Sequence, residues 1–147
     1  MKNVFDFCRF LFWSEVGTSQ AIKRADMDGK NVTTLVSSGL NDPYALTIDE
    51  TTSLVLWFNN GNYKLESCTF TGSYRMAIEE IKNIFIYGMA TDGKFGYVGE
   101  GSSKSIIEVE MASRNYSVFL ANAGVVVDLY LFSRAHQPTG ECIATWC

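Results

Sequence analysis

A module of roughly 40 residues recurs three times along this chain, which is the length of one blade in several repeat folds. Its copies are marked by Trp13, Trp57 and Val98, which follow one another at intervals of 44 and 41 residues. In each copy, short runs rich in β-branched and aromatic residues alternate with turn residues such as Asp-Gly and Asn-Gly. This composition predicts short strands, about four per copy, which is typical of the blades of a β-propeller. The chain is therefore predicted to be all-β.

Twelve strands are predicted, each bounded by turn signals. Residues 76–82 contain good helix formers, but the register of the repeat favours a strand there followed by a loop. The inner strand of each blade should be apolar on both faces, since it is buried between blades. The predicted strands are Phe10–Ser14, Ala21–Asp26, Val32–Val36, Tyr44–Asp49, Leu54–Phe58, Tyr63–Phe70, Tyr74–Ile78, Ile84–Ala90, Phe95–Val98, Ser105–Glu110, Tyr116–Leu120 and Val125–Phe132.

The first copy resembles the YWTD module, which is also called the LDL-receptor class B repeat. Phe12 and Trp13, followed by Ser-Glu, stand where that family has its name motif. Asp28 and Gly29 stand for its turn, and Pro43 begins its Pro-x-x-Leu-x-x-Asp segment. The resemblance implies a six-bladed propeller.

The remaining copies follow the same pattern with more substitutions. Asp49 ends the Pro-x-x-Leu-x-x-Asp segment, Trp57 carries the motif of the second copy, and Gly72 carries its turn. Tyr97 begins the corresponding motif of the third copy. The resemblance therefore extends over almost the whole chain.

The last residues look like the exit from such a propeller into an EGF-like module. The segment from Tyr130 to Pro138 is followed by Cys142 and Cys147, where that module would begin. This resemblance implies a partial propeller over residues 1–138 and the start of an EGF-like module over 139–147. Cys142 and Cys147 are disulfide candidates, either joined to each other or left open. Cys68, at a small position of the repeat, is expected to be a free thiol in the core.

The length is that of one ordinary domain, whereas six blades of this kind need roughly 240 residues. With 147 residues, the chain has room for about three four-stranded blades and one closing strand. It is interpreted as the C-terminal half of a propeller, whether a fragment, a partial gene model or a truncated paralogue. Such a half leaves a blade face open at each end, so the isolated chain is expected to self-associate.

Charge and hydropathy exclude some classes of partner. The net charge is −4 and the basic residues are scattered, which argues against nucleic acid because its binding requires clustered Lys and Arg. No apolar stretch approaches the length of a membrane-spanning helix, so this segment is not expected to insert into a membrane. If the parent protein is a receptor, its anchor lies outside this sequence.

Trp13 and Trp57 are either ligand-contacting aromatics or core residues. Their recurrence at one repeat position favours the core, and both are predicted to be largely buried between blades.

The acidic residues Glu15, Asp28, Asp49 and Glu100 also recur with the repeat. Recurrence favours hydrogen bonding at turns and strand ends over a catalytic pair or a calcium loop. No catalytic residue, cofactor or metal ligand is predicted.

Two Asn-x-Ser/Thr sequons are glycosylation candidates. Asn31 and Asn115 each precede a predicted outer strand, where a glycan would point away from the blade. With EGF-type cysteines, they favour a secreted or luminal ancestry.

The resemblance implies a non-enzymatic, extracellular segment of an endocytic lipoprotein-receptor-like protein, at the cell surface or in endosomes. It would bind protein ligands through the loops on one propeller face. The alternatives are a propeller like those of the Wnt co-receptors or of nidogen, a lactonase-type propeller enzyme, and a non-functional fragment.

Overall fold

The computed structural model describes residues 10–81 and 84–131, and every regular element in these ranges is a β-strand. Most of the predicted strands are present, with bounds that differ by one or two residues, and residues 76–80 form a strand as the repeat register requires. The strands are β1 Phe10–Glu15, β2 Ala21–Asp26, β3 Thr33–Val36, β4 Pro43–Asp49, β5 Leu54–Asn59, β6 Lys64–Thr69, β7 Met76–Glu80, β8 Ile86–Thr91, β9 Phe95–Glu100, β10 Ser105–Glu110 and β11 Tyr116–Leu120.

The strands form three antiparallel sheets in which consecutive strands are neighbours. The first sheet contains β1–β3, the second β4–β7 and the third β8–β11. Trp13, Trp57 and Val98 are each the fourth residue of a six-residue strand, in β1, β5 and β9. The repeat in the sequence is therefore a repeat of whole sheets, and the prediction of an all-β partial propeller is confirmed.

Glycine closes the turn before the outermost strand in the first two sheets. The Gly29 N–H donates to the Asp26 carbonyl at 2.9 Å, and the Gly72 N–H donates to the Thr69 carbonyl at 2.9 Å. Both glycines have φ near +80°, at +79° and +82°, a conformation that costs glycine little. The third sheet uses Arg114 at φ 61° in the corresponding turn, which explains why this copy is harder to recognise in the sequence.

Two apolar clusters hold neighbouring sheets together. Because side chains alternate along a strand, β5 sends Val55 and Trp57 toward the first sheet and Leu56 and Phe58 toward the third. Val55 and Trp57 pack with Ile22, Val36 and Cys68. Between the second and third sheets lies a larger cluster: Ala45, Leu56, Phe58, Leu65, Ile78, Ile81, Ile86, Met89, Val98, Ile107 and Val109.

The two tryptophans of the repeat differ in burial. Trp57 is fully buried, as predicted, whereas Trp13 is partly buried and has a larger exposed fraction than Trp57. Phe12 packs toward the second sheet, so alternation places Trp13 and Leu11 on the opposite face of β1. No sheet formed by the described residues covers that face, and Leu11 on it is 56% exposed.

Residues 125–131 of the predicted closing strand Val125–Phe132 form no ladder with any described strand, and Phe132 lies outside the described residues. Residues 125–131 lie along the face of the third sheet that is turned away from the second. At Gly88 and Gly99 a Cβ would collide with Asp128 and Val126, so this segment lies directly on β8 and β9. It forms no ladder because no other described strand lies beside it on that face.

Within the described residues, no helix is both long and apolar enough to cross a membrane. Cys142, Cys147 and the predicted EGF-like segment over 139–147 lie outside the described residues.

Candidate ligand-binding surface

The connections between strands lie at the two ends of the sheets. The hairpin loops between β1 and β2, β5 and β6, and β9 and β10 lie at the same end of the sheets as the segments that connect one sheet to the next. We call this end the upper face and the opposite end the lower face. The upper-face connections are 16–20, 37–42, 60–63, 81–85, 101–104 and 121–124, of which residues 82 and 83 are outside the described part. The lower-face connections are 27–32, 50–53, 70–75, 92–94 and 111–115.

Backbone hydrogen bonds tie the upper-face loops to one another in a recurring way. The Asn60 N–H donates to the Asp42 carbonyl at 2.9 Å, and in the next copy the Gly101 N–H donates to the Phe85 carbonyl at 3.0 Å. Each bond joins a hairpin loop to the residue just before the inner strand of the same sheet. The upper face is therefore a set of braced loops.

An exposed aromatic cluster lies on this face, at the start of the inner strands. The ring centroids of Tyr44 and Phe85 are 6.1 Å apart, and those of Phe85 and Tyr87 are 5.1 Å apart. Tyr44 and Tyr87 are each the second residue of an inner strand, β4 and β8. Phe85 and Tyr87 are 37% and 43% exposed. Partly exposed aromatic rings with a polar tip are the side chains most enriched where proteins bind one another.

Asn60 holds this cluster in place from the neighbouring sheet. Its Nδ2 donates to the Ile86 carbonyl at 2.9 Å, and its Oδ1 accepts from the Ile86 N–H at 2.8 Å. Asn60 is almost fully buried, so both bonds are shielded from water. Because Ile86 lies between Phe85 and Tyr87, the amide fixes the backbone that presents both rings.

Two glycines leave room for this arrangement. A Cβ at Gly61 would collide with the Asn41 side chain, and one at Gly101 would lie 2.9 Å from Cε2 of Tyr87. Both glycines are read as turn residues in the sequence, whereas the structure shows that they also allow close packing of the upper face. The sequence gives no signal for the role of Asn60, because its partner is 26 residues away.

A second polar network joins the first and second sheets below the upper face. The guanidinium of Arg75 contacts Glu66 at 2.6 Å and donates to the Gly39 carbonyl at 2.9 Å. Asn59 donates from Nδ2 to the same Glu66 oxygen at 2.8 Å, and its Oδ1 accepts from the Asn41 N–H at 3.2 Å. The buried carboxylate is thus paired and hydrogen-bonded, which is what a buried charge requires.

The recurring acidic residues lie at turns. Asp49 accepts from the Thr51 N–H at 2.9 Å, and Asp28 accepts from the Lys30 N–H at 3.0 Å. The Lys30 hydrogen bonds lower the pKa of Asp28. The Trp13 indole N–H donates to Glu15 at 3.1 Å.

Glu100 is buried at the end of β9 and binds the upper-face loop that follows it. It accepts from the Ser102 N–H at 2.7 Å and from the Ser103 N–H. Burial opposes ionisation of this carboxyl, but the hydrogen bonds from Ser103 and Ser102 outweigh it and lower the pKa of Glu100.

Other predicted residues have structural positions. The Phe12 ring lies 4.9 Å from Phe70 across the first interface, and Pro43 is buried at the start of β4. Tyr97 contacts Phe119 at 5.3 Å on the outer face of the third sheet. Cys68 is buried and free, and burial raises the pKa of its thiol to about 11.

An axial groove of about 480 Å³ lies between the ends of β4 and β8 and residues 128–131. Asp49 and Asp128 line it, but the carboxylate of Asp49 already accepts a hydrogen bond from the Thr51 N–H in the turn that follows β4. In the described part of the chain, no three His, Cys, Asp or Glu side chains lie close enough to hold a metal ion.

Comparison with known proteins supports the family resemblance. Residues 9–50 match the family model described as low-density lipoprotein receptor repeat class B. Human low-density lipoprotein receptor-related protein 5 is 30% identical over 89 residues, and the mouse protein is 28% identical over the same length. These matches cover 60% of this chain and 6% of each relative.

Solved structures show the same fold. The nidogen/laminin complex contains a chain similar to this one with a TM-score of 0.69, at 21% identity, covering 82% of this chain and 49% of the other. A calcium-binding regucalcin from Agrobacterium tumefaciens gives 0.62 at 12% identity, covering 75% and 41%. A gluconolactonase from Xanthomonas campestris gives 0.58 at 9% identity, covering 76% and 38%. At these identities the likeness extends to the fold alone.

Residues 9–50 thus match the class B repeat, and the described part of the chain has the fold of a partial β-propeller. Its similarities support an extracellular propeller segment.

Proposed function

We propose that this chain is a non-enzymatic ligand-binding segment of an endocytic, lipoprotein-receptor-like protein, and that it contacts protein ligands through its upper face. The observation that carries the proposal is the aromatic cluster of Tyr44, Phe85 and Tyr87, in which Phe85 and Tyr87 are exposed and Tyr44 is partly buried. Two features set this cluster apart from scattered surface aromatics. Its rings contact one another, and its backbone is held by the buried Asn60.

Rigidity supports binding because a preformed surface loses little conformational freedom when a partner docks. Tyrosine and phenylalanine also present a large contact area with few rotatable bonds, which reduces the side-chain entropy lost on binding. The hydrogen-bonded loops around the cluster supply backbone and polar groups that could contact a ligand at the periphery of the binding site. We therefore expect a protein segment with apolar anchor residues to bind here.

A peptide library displayed on phage and selected on the immobilised full chain tests this proposal. Tyr87→Ala should weaken the selected peptides at least tenfold, which corresponds to about 1.4 kcal/mol. Tyr74→Ala is the matched control, because Tyr74 is an 83% exposed tyrosine on the lower face. Peptides that lose affinity with Tyr74→Ala, or with neither variant, would contradict an upper-face site.

Localisation is tested separately on the natural, untagged protein. Biotinylation of intact cells with a reagent that cannot cross membranes should label it, and acid washing after uptake should leave an endosomal fraction. Labelling only after permeabilisation would contradict the receptor-like role and leave the binding geometry unaffected.

A nidogen-like matrix role is the second candidate. It is favoured by the TM-score of 0.69 to the chain in the nidogen/laminin complex. Laminin is the defined probe. Binding of laminin to the immobilised chain, lost in Tyr87→Ala and kept in Tyr74→Ala, would favour this role over the endocytic one.

A further inference from the structure

The two sequons lie within one residue of the same repeat position, at the lower-face turn before the outermost strand of a sheet. Asn31 precedes β3 in the first sheet, and Asn115 precedes β11 in the third. Both side chains are exposed. The recurrence places any attached glycan beside the outer edge of a sheet.

The two asparagines differ in how their side-chain amides are used. Nδ2 of Asn31 donates to Asp26 at 2.7 Å, and Asn31 has φ 52°. Over residues 10–81 and 84–131, no group hydrogen-bonds the side-chain amide of Asn115. The Asn115 amide is therefore the freer of the two to react.

The strand that follows Asn115 is an unprotected edge. β11 is the outermost strand of the third sheet, so one row of its N–H and C=O groups has no partner strand in the described part of the chain. Its sequence, Tyr-Ser-Val-Phe-Leu, carries no charge and no proline. All four of its apolar side chains are at least 49% exposed. Long, apolar, unpaired edges promote pairing with another chain, and proteins usually protect them.

The other outer edges have protection of their own. β3 contains two threonines, at positions 33 and 34, and has only four residues, while β7 carries Glu80 near its end. Short strands and charges are recognised ways of blocking edge pairing. β11 has five residues, as β7 does, but it carries no charge, which distinguishes the edge of the third sheet from that of the second.

We propose that Asn115 carries an N-linked glycan that shields the edge of β11 from pairing with another chain. A glycan is bulky and solubilising, and the five residues of β11 span only about 17 Å from the attachment point. In the reaction, Nδ2 of Asn115 forms a C–N bond with the anomeric carbon of a diphosphate-activated oligosaccharide. The diphosphate leaves and the amide gives up one proton. The proposal rests on the extracellular location proposed above.

The test uses the full chain behind a cleavable secretion signal in a eukaryotic cell, with mass spectrometry of the secreted protein. Ser117→Thr keeps the sequon and Ser117→Val abolishes it, while the two side chains have nearly the same shape at an exposed position. Asn115 should be glycosylated in the wild type and in Ser117→Thr, and bare in Ser117→Val. A secreted chain with a bare Asn115 in the wild type would overturn the proposal, even if Asn31 were occupied.

Light scattering then measures what the glycan does. Secreted Ser117→Val should associate at a concentration at least threefold lower than Ser117→Thr. Made in bacteria, where neither is glycosylated, the two variants should associate equally. Adding Val118→Lys to Ser117→Val should restore the higher threshold, because a charge on the edge opposes pairing.

Equal thresholds for the two secreted variants would overturn the shielding role. Association through the open sheet faces is common to both variants and cancels in the comparison. Because the secretion signal is added, the result does not depend on whether the natural protein is exported. A negative result here is therefore distinguishable from failure of the proposed location, which surface biotinylation tests.

Discussion

Asn60→Ala is the substitution that most directly tests how the upper face is held. It removes two hydrogen bonds, from Nδ2 to the Ile86 carbonyl at 2.9 Å and from the Ile86 N–H to Oδ1 at 2.8 Å. Ile86 is fully buried and Asn60 is nearly so, which leaves little access for water to replace the lost partner. Each buried backbone group left without a partner costs about 1–3 kcal/mol. The free energy of unfolding should therefore fall by about 2–6 kcal/mol, counting both groups.

Two measurements check this prediction. Urea unfolding of the full chain gives the global free energy, and Asn62→Ala is the control, because no described group hydrogen-bonds Oδ1 of Asn62. Amide hydrogen exchange gives the local effect, since the Ile86 amide loses its acceptor. Its exchange should accelerate more than that of Val98 in the adjacent strand, which keeps its ladder bonds.

The functional consequence follows from the position of Ile86 between Phe85 and Tyr87. Peptides selected on the upper face should bind Asn60→Ala more weakly even under conditions where the variant is fully folded. An unfolding free energy within about 1 kcal/mol of the wild type, with unchanged exchange at Ile86, would refute the reasoning, because one unpaired buried group alone should cost that much.

Four further predictions concern the core, the buried pair, acid stability and association. Trp57→Ala should cost about 3–5 kcal/mol in urea unfolding, and Trp13→Ala clearly less, because only Trp57 is fully buried; equal costs would contradict the packing. Arg75→Ala should cost about 3 kcal/mol by leaving Glu66 unpaired, and Arg75→Lys should recover only part of this because lysine cannot reproduce the guanidinium contacts. Because folding lowers the pKa of Glu100, its carboxylate stabilises the folded state above the ordinary carboxyl pKa, and this stabilisation is lost as the pH falls through the pKa of the folded state. The free energy of unfolding of Glu100→Gln should therefore fall less steeply toward acid pH than that of the wild type. An equally steep fall in both proteins would show that this carboxylate is not linked to folding. The isolated chain should self-associate at micromolar concentration in light scattering, since apolar side chains on its end faces are exposed, and a stable monomer would contradict this.

The local features of the fold could be predicted from the sequence. Alternating apolar residues and Asp-Gly or Asn-Gly pairs act over a few residues, so they predict strands and turns without knowledge of the rest of the chain. This is why β2, β10 and β11 have the bounds that the pattern indicates, and why Gly29 and Gly72 close equivalent turns. Repetition extends this local information, because three similar segments imply three similar sheets.

Features that depend on neighbouring sheets could not be predicted in this way. Trp13 and Trp57 occupy the same repeat position and the same place in a strand, yet only Trp57 has a described sheet packed against its face. Residues 125–131 have the composition of a strand, but no other described strand lies beside them to form a ladder. Burial of a side chain and pairing of a strand depend on contacts between segments that are distant in the sequence. A periodic pattern shows only which side of a strand is apolar.

The candidate site was the least accessible to sequence reasoning. Tyr44 and Tyr87 recur at one repeat position, but that recurrence shows neither that Tyr87 is exposed nor that both rings contact Phe85. Asn60 reads as an ordinary turn residue next to a glycine, and only packing of the second and third sheets brings its amide to Ile86. The sequence by itself determined the repeating strands and their turns, because those are set by bonds within a few residues. The tertiary structure decided which side chains are buried, braced or left open to a partner, because those depend on contacts between residues far apart in the chain.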